Sequence, residues 1–171
     1  MATILTITYG TNTAITLDLS SLATSATWIA GQESGEIDNT SNLFVDAIVN
    51  VKGVTGHAST ANTVGQEIRI YCWGADISSA TYAVVDNLDG TTSAETLTAT
   101  LTQNLRLAGA AAAVVTTAAL VYHFQPFSVA ALFGGIMPRY WGLFVTHSFA
   151  GALGASNNSL FSYSGIKYTS T

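Results

Sequence analysis

Glu67 to Gly74 reads EIRIYCWG, and its alternation decides the fold. Ile68, Ile70 and Cys72 fall on one side of an extended chain, and Arg69, Tyr71 and Trp73 on the other. β-branched and aromatic residues at a period of two describe a strand, not a helix. The glycine that follows is a natural stop.

Working outward from there, the same signature recurs. TILTITYG (Thr3–Gly10) and AITLDLS (Ala14–Ser20) alternate on either side of the turn-like Gly10-Thr11-Asn12. TWIAG (Thr27–Gly31) is short and apolar, and NLFVDAIVNVKG (Asn42–Gly53) is rich in Val and Ile. TYAVVD (Thr81–Asp86) runs into the turn cluster Asn87-Leu88-Asp89-Gly90. ETLTATLTQNLRLAG sets Leu97 and Leu101 against threonines, and its Ala and Leu content equally suits an amphipathic helix, an ambiguity that extends to Leu120. ALVYHFQPFSV is a strand stopped by Pro126, and RYWGLFVTHS and LFSYSGIKYTS close the chain. SVAALFGG reads as a short helix, with Ser128 as its cap and Gly134-Gly135 as its end. About nine or ten short strands with turns between them predict an all-β, antiparallel β-sandwich, jelly-roll-like, with at most one or two short helices. A chain of 171 residues without a linker or an internal repeat is expected to form one domain, residues 1–171.

The composition is poor in charge. Hydrophobic residues make up 49% and charged residues 9%, against about a quarter charged in ordinary soluble domains. Such a chain is destined for a membrane or for an assembly. A spanning helix needs about 20 apolar residues. The best run, Leu105 to Phe124, is mostly alanine, starts beside Arg106 and is broken by Thr116-Thr117. No membrane partner is therefore expected. The net charge of −5, with Lys52, Arg69, Arg106, Arg139 and Lys167 scattered singly, argues against a nucleic-acid partner. MATILTITYG has neither a basic n-region nor a cleavage site, so synthesis in a cytoplasm is expected.

Chemistry-bearing motifs are weak. His57, His123 and His147 lie far apart, and His147 reads as a structural histidine. The single cysteine, Cys72, shares the face of Ile68 and Ile70 and reads as a small buried hydrophobe. The Asp86–Gly90 turn resembles a calcium loop, but Val85 and Thr96 would occupy its strongest ligand positions, so a solvated turn is the better reading. A different calcium site using Asp86 and Asp89 stays open. Ser164 and Lys167 match SxxK inside a strand-like tail, a chance spacing. No catalytic, cofactor-binding or metal-binding residue is assigned, and no enzyme activity is expected. Trp28, Trp73 and Trp141 with seven tyrosines also suit a glycan-binding sandwich, for which exposed Trp73 and Tyr71 are the best candidates.

One segment stands apart. Phe124 to Gly151 holds seven aromatic residues, both prolines and a single charge, Arg139. So much apolar surface needs a cover. The predicted interface residues are Phe127, Phe133, Arg139, Tyr140, Trp141 and Phe144. Pro126, Leu132 and Pro138 are expected beside them, bridging the core and a subunit contact.

Gln125 to Gly135 together with Met137 to His147 resembles small virion structural proteins of tailed bacteriophages. So do Ile7 to Ala23, Gln32-Glu33-Ser34, Ile37 to Thr40 and Phe44 to Ala47. The resemblance touches most of the chain, though the Ala108–Val115 run departs from it. It implies a non-enzymatic head decoration, or cement, protein on the capsid exterior, assembled in the host cytoplasm. Its implied partners are the major capsid protein and further copies of itself, with a trimer favoured. The alternative is a receptor- or glycan-binding module of a tail fibre or tip; a third class is a hydrolase hidden in a sandwich.

Overall fold

The computed structural model describes residues 5–78, 88–98 and 105–170. The expected strand Thr81–Asp86, and Leu101, lie outside them. The described chain is all-β and antiparallel, with one short helix.

The first sheet contains β1 (Leu5–Tyr9), β2 (Thr13–Ala14), β5 (Asp46–Val51), β11 (Phe127–Ser128) and β13 (Phe161–Ser170). Its order is β1-β13-β5-β11, with β2 on the same side of β13 as β1. The second contains β3 (Ala30–Glu33), β4 (Ile37–Asp38), β7 (Glu67–Ala75), β8 (Ala94–Thr96), β9 (Arg106–Ala112) and β12 (Tyr140–His147). Its order is β8-β3-β12-β7-β9, with β4 also on β12. A small ladder joins β6 (Val54–Thr55) to β10 (Val121–Tyr122). The chain changes sheet from β5 to β7 and from β11 through β12 to β13, while β7, β8 and β9 stay in the second sheet, and the two antiparallel sheets make the β-sandwich expected from the sequence.

The sheets meet through residues that alternate inward. Ala47 and Val49 of β5 and Phe161 and Tyr163 of β13 face Ile68, Ile70 and Cys72 of β7 and Trp141, Leu143 and Val145 of β12. Trp141 stands edge-on to Tyr163, with ring centres 5.3 Å apart. Burying Cys72 in this layer drives its thiol pKa up, so it packs as a hydrophobe.

Two expectations from pattern are adjusted and one ambiguity is resolved. Ala14–Ser20 keeps its alternation, with Ile15, Leu17 and Leu19 buried, but past Ala14 it makes only an isolated bridge at Asp18. ALVYHFQPFSV is split in two around Pro126, which has no N–H to give a ladder. RLAGAAA, helical by propensity, is the strand β9, because β7 offers it a ladder from Glu67 to Cys72. A bulge at Ile70/Tyr71 bends that pair.

The helix, α1 (Val129–Leu132), begins as expected at Ser128, whose Oγ accepts the Ala131 N–H. Asp46 completes the start: its carboxylate accepts the Ala130 N–H at 2.9 Å and the Ser128 hydroxyl at 2.7 Å. Gly134 and Gly135, at φ of 73° and 91°, stop it in the left-handed region that glycine allows.

No helix of the described residues is long and apolar enough to cross a membrane.

Candidate functional site

Two parts of the Phe124–Gly151 segment are covered by the chain itself. Leu143, Trp141 and Val145 fill the layer between the sheets. The opposite face of β12 carries Phe144, which is equally enclosed. It lies in a second apolar cluster with Trp73, Leu88, Leu97 and Leu105. Gly142 makes room for this packing, because a Cβ there would stand 2.5 Å from the Trp73 ring. Trp141 and Phe144 are therefore not interface residues: the chain's own sheets and loops take up their surface. Trp73 is fully buried as well, which corrects the expectation that it is exposed to a glycan. Among the described residues its indole N–H has no acceptor. Tyr71 is half-buried.

The remaining part of the segment is not covered. After α1 the chain crosses the left-handed glycines and runs through Ile136, Met137 and Pro138 into β12. Pro138 and Phe133 press on Gly74 of β7, where a Cβ would lie 2.6 Å from the proline ring and 2.9 Å from the phenylalanine. Between this loop and the end of β7 opens a shallow, mostly apolar basin of about 510 Å³. Phe133, Ile136, Met137 and Pro138 line it, with Asp76 and Arg139 at its rim. Ile136 is 75% exposed. Arg139 is exposed, and its backbone carbonyl accepts the Asn39 N–H. Tyr140 is half-buried, opposite Asp38 and Ala75 in the sheet. Hydrogen bonds from Thr40 hold the Asp38 carboxyl below its usual range, and Arg139 adds to that. Phe127 sits elsewhere, on β11 beside Val49, half-buried against the main core.

Of the six predicted interface residues, the structure therefore brings Phe133 and Arg139 together at the basin and sets Tyr140 next in the chain. Ile136 and Met137 were not singled out. Their signal was in the sequence, as apolar residues between a helix-stopping glycine pair and Pro138.

The polar side chains singled out in the sequence are, where described, held in structural contacts. His147 is buried; its Nε2–H donates to the Leu22 carbonyl at 2.8 Å, and its Nδ1 accepts the Phe149 N–H at 3.2 Å. Burial holds its pKa below the usual value, so it stays neutral and structural. His57 Nδ1 is occupied by the backbone N–H groups of Ser59 and Thr60. Ser164 and Lys167 lie on opposite faces of β13, so the SxxK spacing brings nothing together. Asp89 is exposed and accepts the N–H and hydroxyl of Thr91, as a solvated turn does; Asp86 is outside the described residues. Among the described residues no group of three His, Cys, Asp or Glu side chains is placed to hold a metal ion.

Two polar clusters are structural in form. Trp28, at φ 64°, carries the Arg69 guanidinium 3.8 Å from its ring, and Glu67 holds that guanidinium at 2.9 Å. Glu33 is fully buried on β3, and its carboxyl accepts the N–H of Gly90 at 3.0 Å and of Asp89 at 3.2 Å. Burial, then the nearby Asp89 and Glu95, raise its pKa to about 8 against the pull of those donors.

The fold and its surface define an antiparallel β-sandwich with an uncovered apolar basin. No protein-family model, curated protein or solved structure matches the chain.

Proposed function

We propose that this protein is a non-enzymatic structural component of a bacteriophage virion, a decoration or cement protein that self-associates on the capsid exterior and braces the major capsid protein. The observation that carries this reading is the basin at Phe133–Arg139. A chain that encloses Trp73, Trp141 and Phe144 completely nevertheless leaves Ile136 in solvent beside Phe133 and Met137. Apolar surface of this kind, with Asp76 and Arg139 beside it, suits contact with another protein. The phage-like sequence pattern supplies the setting, and the scarcity of charge suits repeated burial between subunits. The acidic, hydroxyl-rich remainder suits a face turned away from packaged DNA.

The test is location. Antibody label on intact virions is expected over the whole head, and virions lacking the protein are expected to lose DNA at lower temperature. Label confined to the tail would reject the decoration role in favour of the tail-module alternative. That alternative has lost its best glycan platform, because Trp73 is buried.

A further inference from the structure

The second uncovered apolar surface lies at the other end of the chain. From Lys167 onward, β13 has passed the end of β5, whose last partner is Ile166, and among the described residues it pairs only with β1. The result is a two-stranded ribbon extending the first sheet. The inward residues of β13 are Phe161, Tyr163 and Gly165, so by alternation Ile166 and Tyr168 point to the outer face. Cross-strand pairing of Ile7 with Tyr168 and of Tyr9 with Ile166 puts the apolar residues of β1 on that same outer face. Leu5 is 67% exposed, Ile7 54%, Tyr9 71% and Tyr168 57%. The threonines Thr6 and Thr8 share the other side with Lys167.

This phase is the reverse of the usual one, in which the apolar side of a strand faces its own core. It is pinned: the Gly10 N–H bonds the Gly165 carbonyl at 2.7 Å, and Phe44 packs where a Gly165 Cβ would stand. A slip of one residue would turn Leu5, Ile7 and Tyr9 inward at the loss of that anchor. A bare two-stranded ribbon is marginal in water. Its outer face is thus built to be covered.

We propose that the cover is the same face of a second copy, the two ribbons packing outer face to outer face about a two-fold axis. Three features favour a copy over another partner. The exposed part of that face, Leu5, Ile7, Tyr9 and Tyr168, holds no charged side chain, and the one carboxylate beside it, Asp46 opposite Ile166, is already engaged by the Ser128 hydroxyl and the Ala130 N–H, so two copies need not desolvate a free charge. A face of Leu, Ile and Tyr is complementary to itself, as an isologous contact requires. The area is also adequate. An aromatic side chain carries about 150–250 Å². Two tyrosines, a leucine and an isoleucine more than half exposed therefore offer on the order of 400–500 Å² per copy. Two such faces bury about 800–1,000 Å², just under a standard stable interface. The dimer is accordingly weak and concentration-dependent, and it fills where copies are crowded on one surface. Packing two ribbons in this way makes a small sandwich of sheets about 10 Å apart.

Sedimentation of the purified full chain over a wide concentration range tests this apart from any virion location, so either proposal can fail alone. Wild type is expected to pass from monomer to a larger species. Tyr168→Ser should weaken that step at least tenfold, and Ile7→Ser with Tyr168→Ser should abolish it. Thr6→Lys, on the opposite face and paired with Thr169, should leave it unchanged. All of these sites are at the surface, and an unchanged circular-dichroism spectrum and melting temperature show that the fold is kept. A wild type that stays monomeric at millimolar concentration overturns the proposal. So does association that resists the double substitution, or that Thr6→Lys weakens equally.

Discussion

Glu33→Gln tests whether a buried acid on β3 is held with its proton. The Glu33 carboxyl is shielded from water, and its two oxygens meet the N–H groups of Gly90 and Asp89. Those donors favour the charged form, while burial and the negative Asp89 and Glu95 favour the neutral one. The balance lies at about 8, against a reference of 4.5. The unfolded chain releases this proton near 4.5 and the folded chain near 8, so between those values unfolding releases a proton. The contribution to stability is complete below pH 4.5 and is lost as pH rises towards 8. The whole shift converts to on the order of 5 kcal/mol. The adjoining turn is open to water, and screening there reduces this to about 2–3 kcal/mol. Gln has the shape of the protonated acid and cannot ionise. Its carbonyl takes one N–H and its amide faces the other, a loss of about 1 kcal/mol. Urea unfolding followed by circular dichroism, from pH 4.5 to 8.5, should show the variant about 1 kcal/mol weaker than wild type at the acid end and more stable by about 1–2 kcal/mol at the alkaline end. A difference that stays constant across this range, or a variant weaker at every pH, would refute the reasoning. The two N–H groups would then be strong enough to keep the carboxylate charged.

Trp141→Ala removes a wholly buried ring and its edge contact with Tyr163, so it should cost about 3–5 kcal/mol and lower the melting temperature sharply. Ile136→Ser, at an exposed site on the basin, should leave the melting temperature within a few degrees of wild type and weaken association in sedimentation. Gly142→Ala would force a methyl against the enclosed Trp73 ring, and thermal unfolding should show a loss of about 1–3 kcal/mol. His147 has its pKa held below 6.5 by burial, so its contribution is present above that value and is lost as pH falls. An NMR titration should find its imidazole still neutral below pH 6.5 for as long as the protein stays folded.

Alternation in EIRIYCWG correctly placed Ile68, Ile70 and Cys72 inward, and the helix start at Ser128 and stop at Gly134-Gly135 followed from residue chemistry alone. The same rule misled at Trp73, because alternation tells which side of a strand a residue takes and not whether that side meets water. Leu88, Leu97 and Leu105 cover that side, and they come from segments distant in sequence. The interface prediction met the same limit. RYWGLFVTH is apolar on both faces, which means that both are covered, but periodicity cannot say by which chain. For Trp141 and Phe144 the cover is internal. Likewise, the alternation of TILTITYG was plain, but its phase relative to the core depends on the Gly10–Gly165 anchor, a contact across the whole length of the chain.

The basin and the ribbon face differ in kind, and that difference bears on how copies would assemble. The ribbon face is self-complementary, so a contact through it closes on two copies. The basin is concave, lined by Phe133, Ile136 and Pro138, and a matching convex surface must come from a different part of the neighbour. Such a contact is heterologous, and it closes into a ring, such as the trimer proposed for this chain, or continues without limit. One contact of each kind on the same subunit suffices to join rings through two-fold links into a sheet. Each contact can be weak, because the array multiplies them once the subunits share a surface. A sparsely charged chain that spends most of its aromatic residues on its own core and keeps two small apolar faces outside is well suited to that economy.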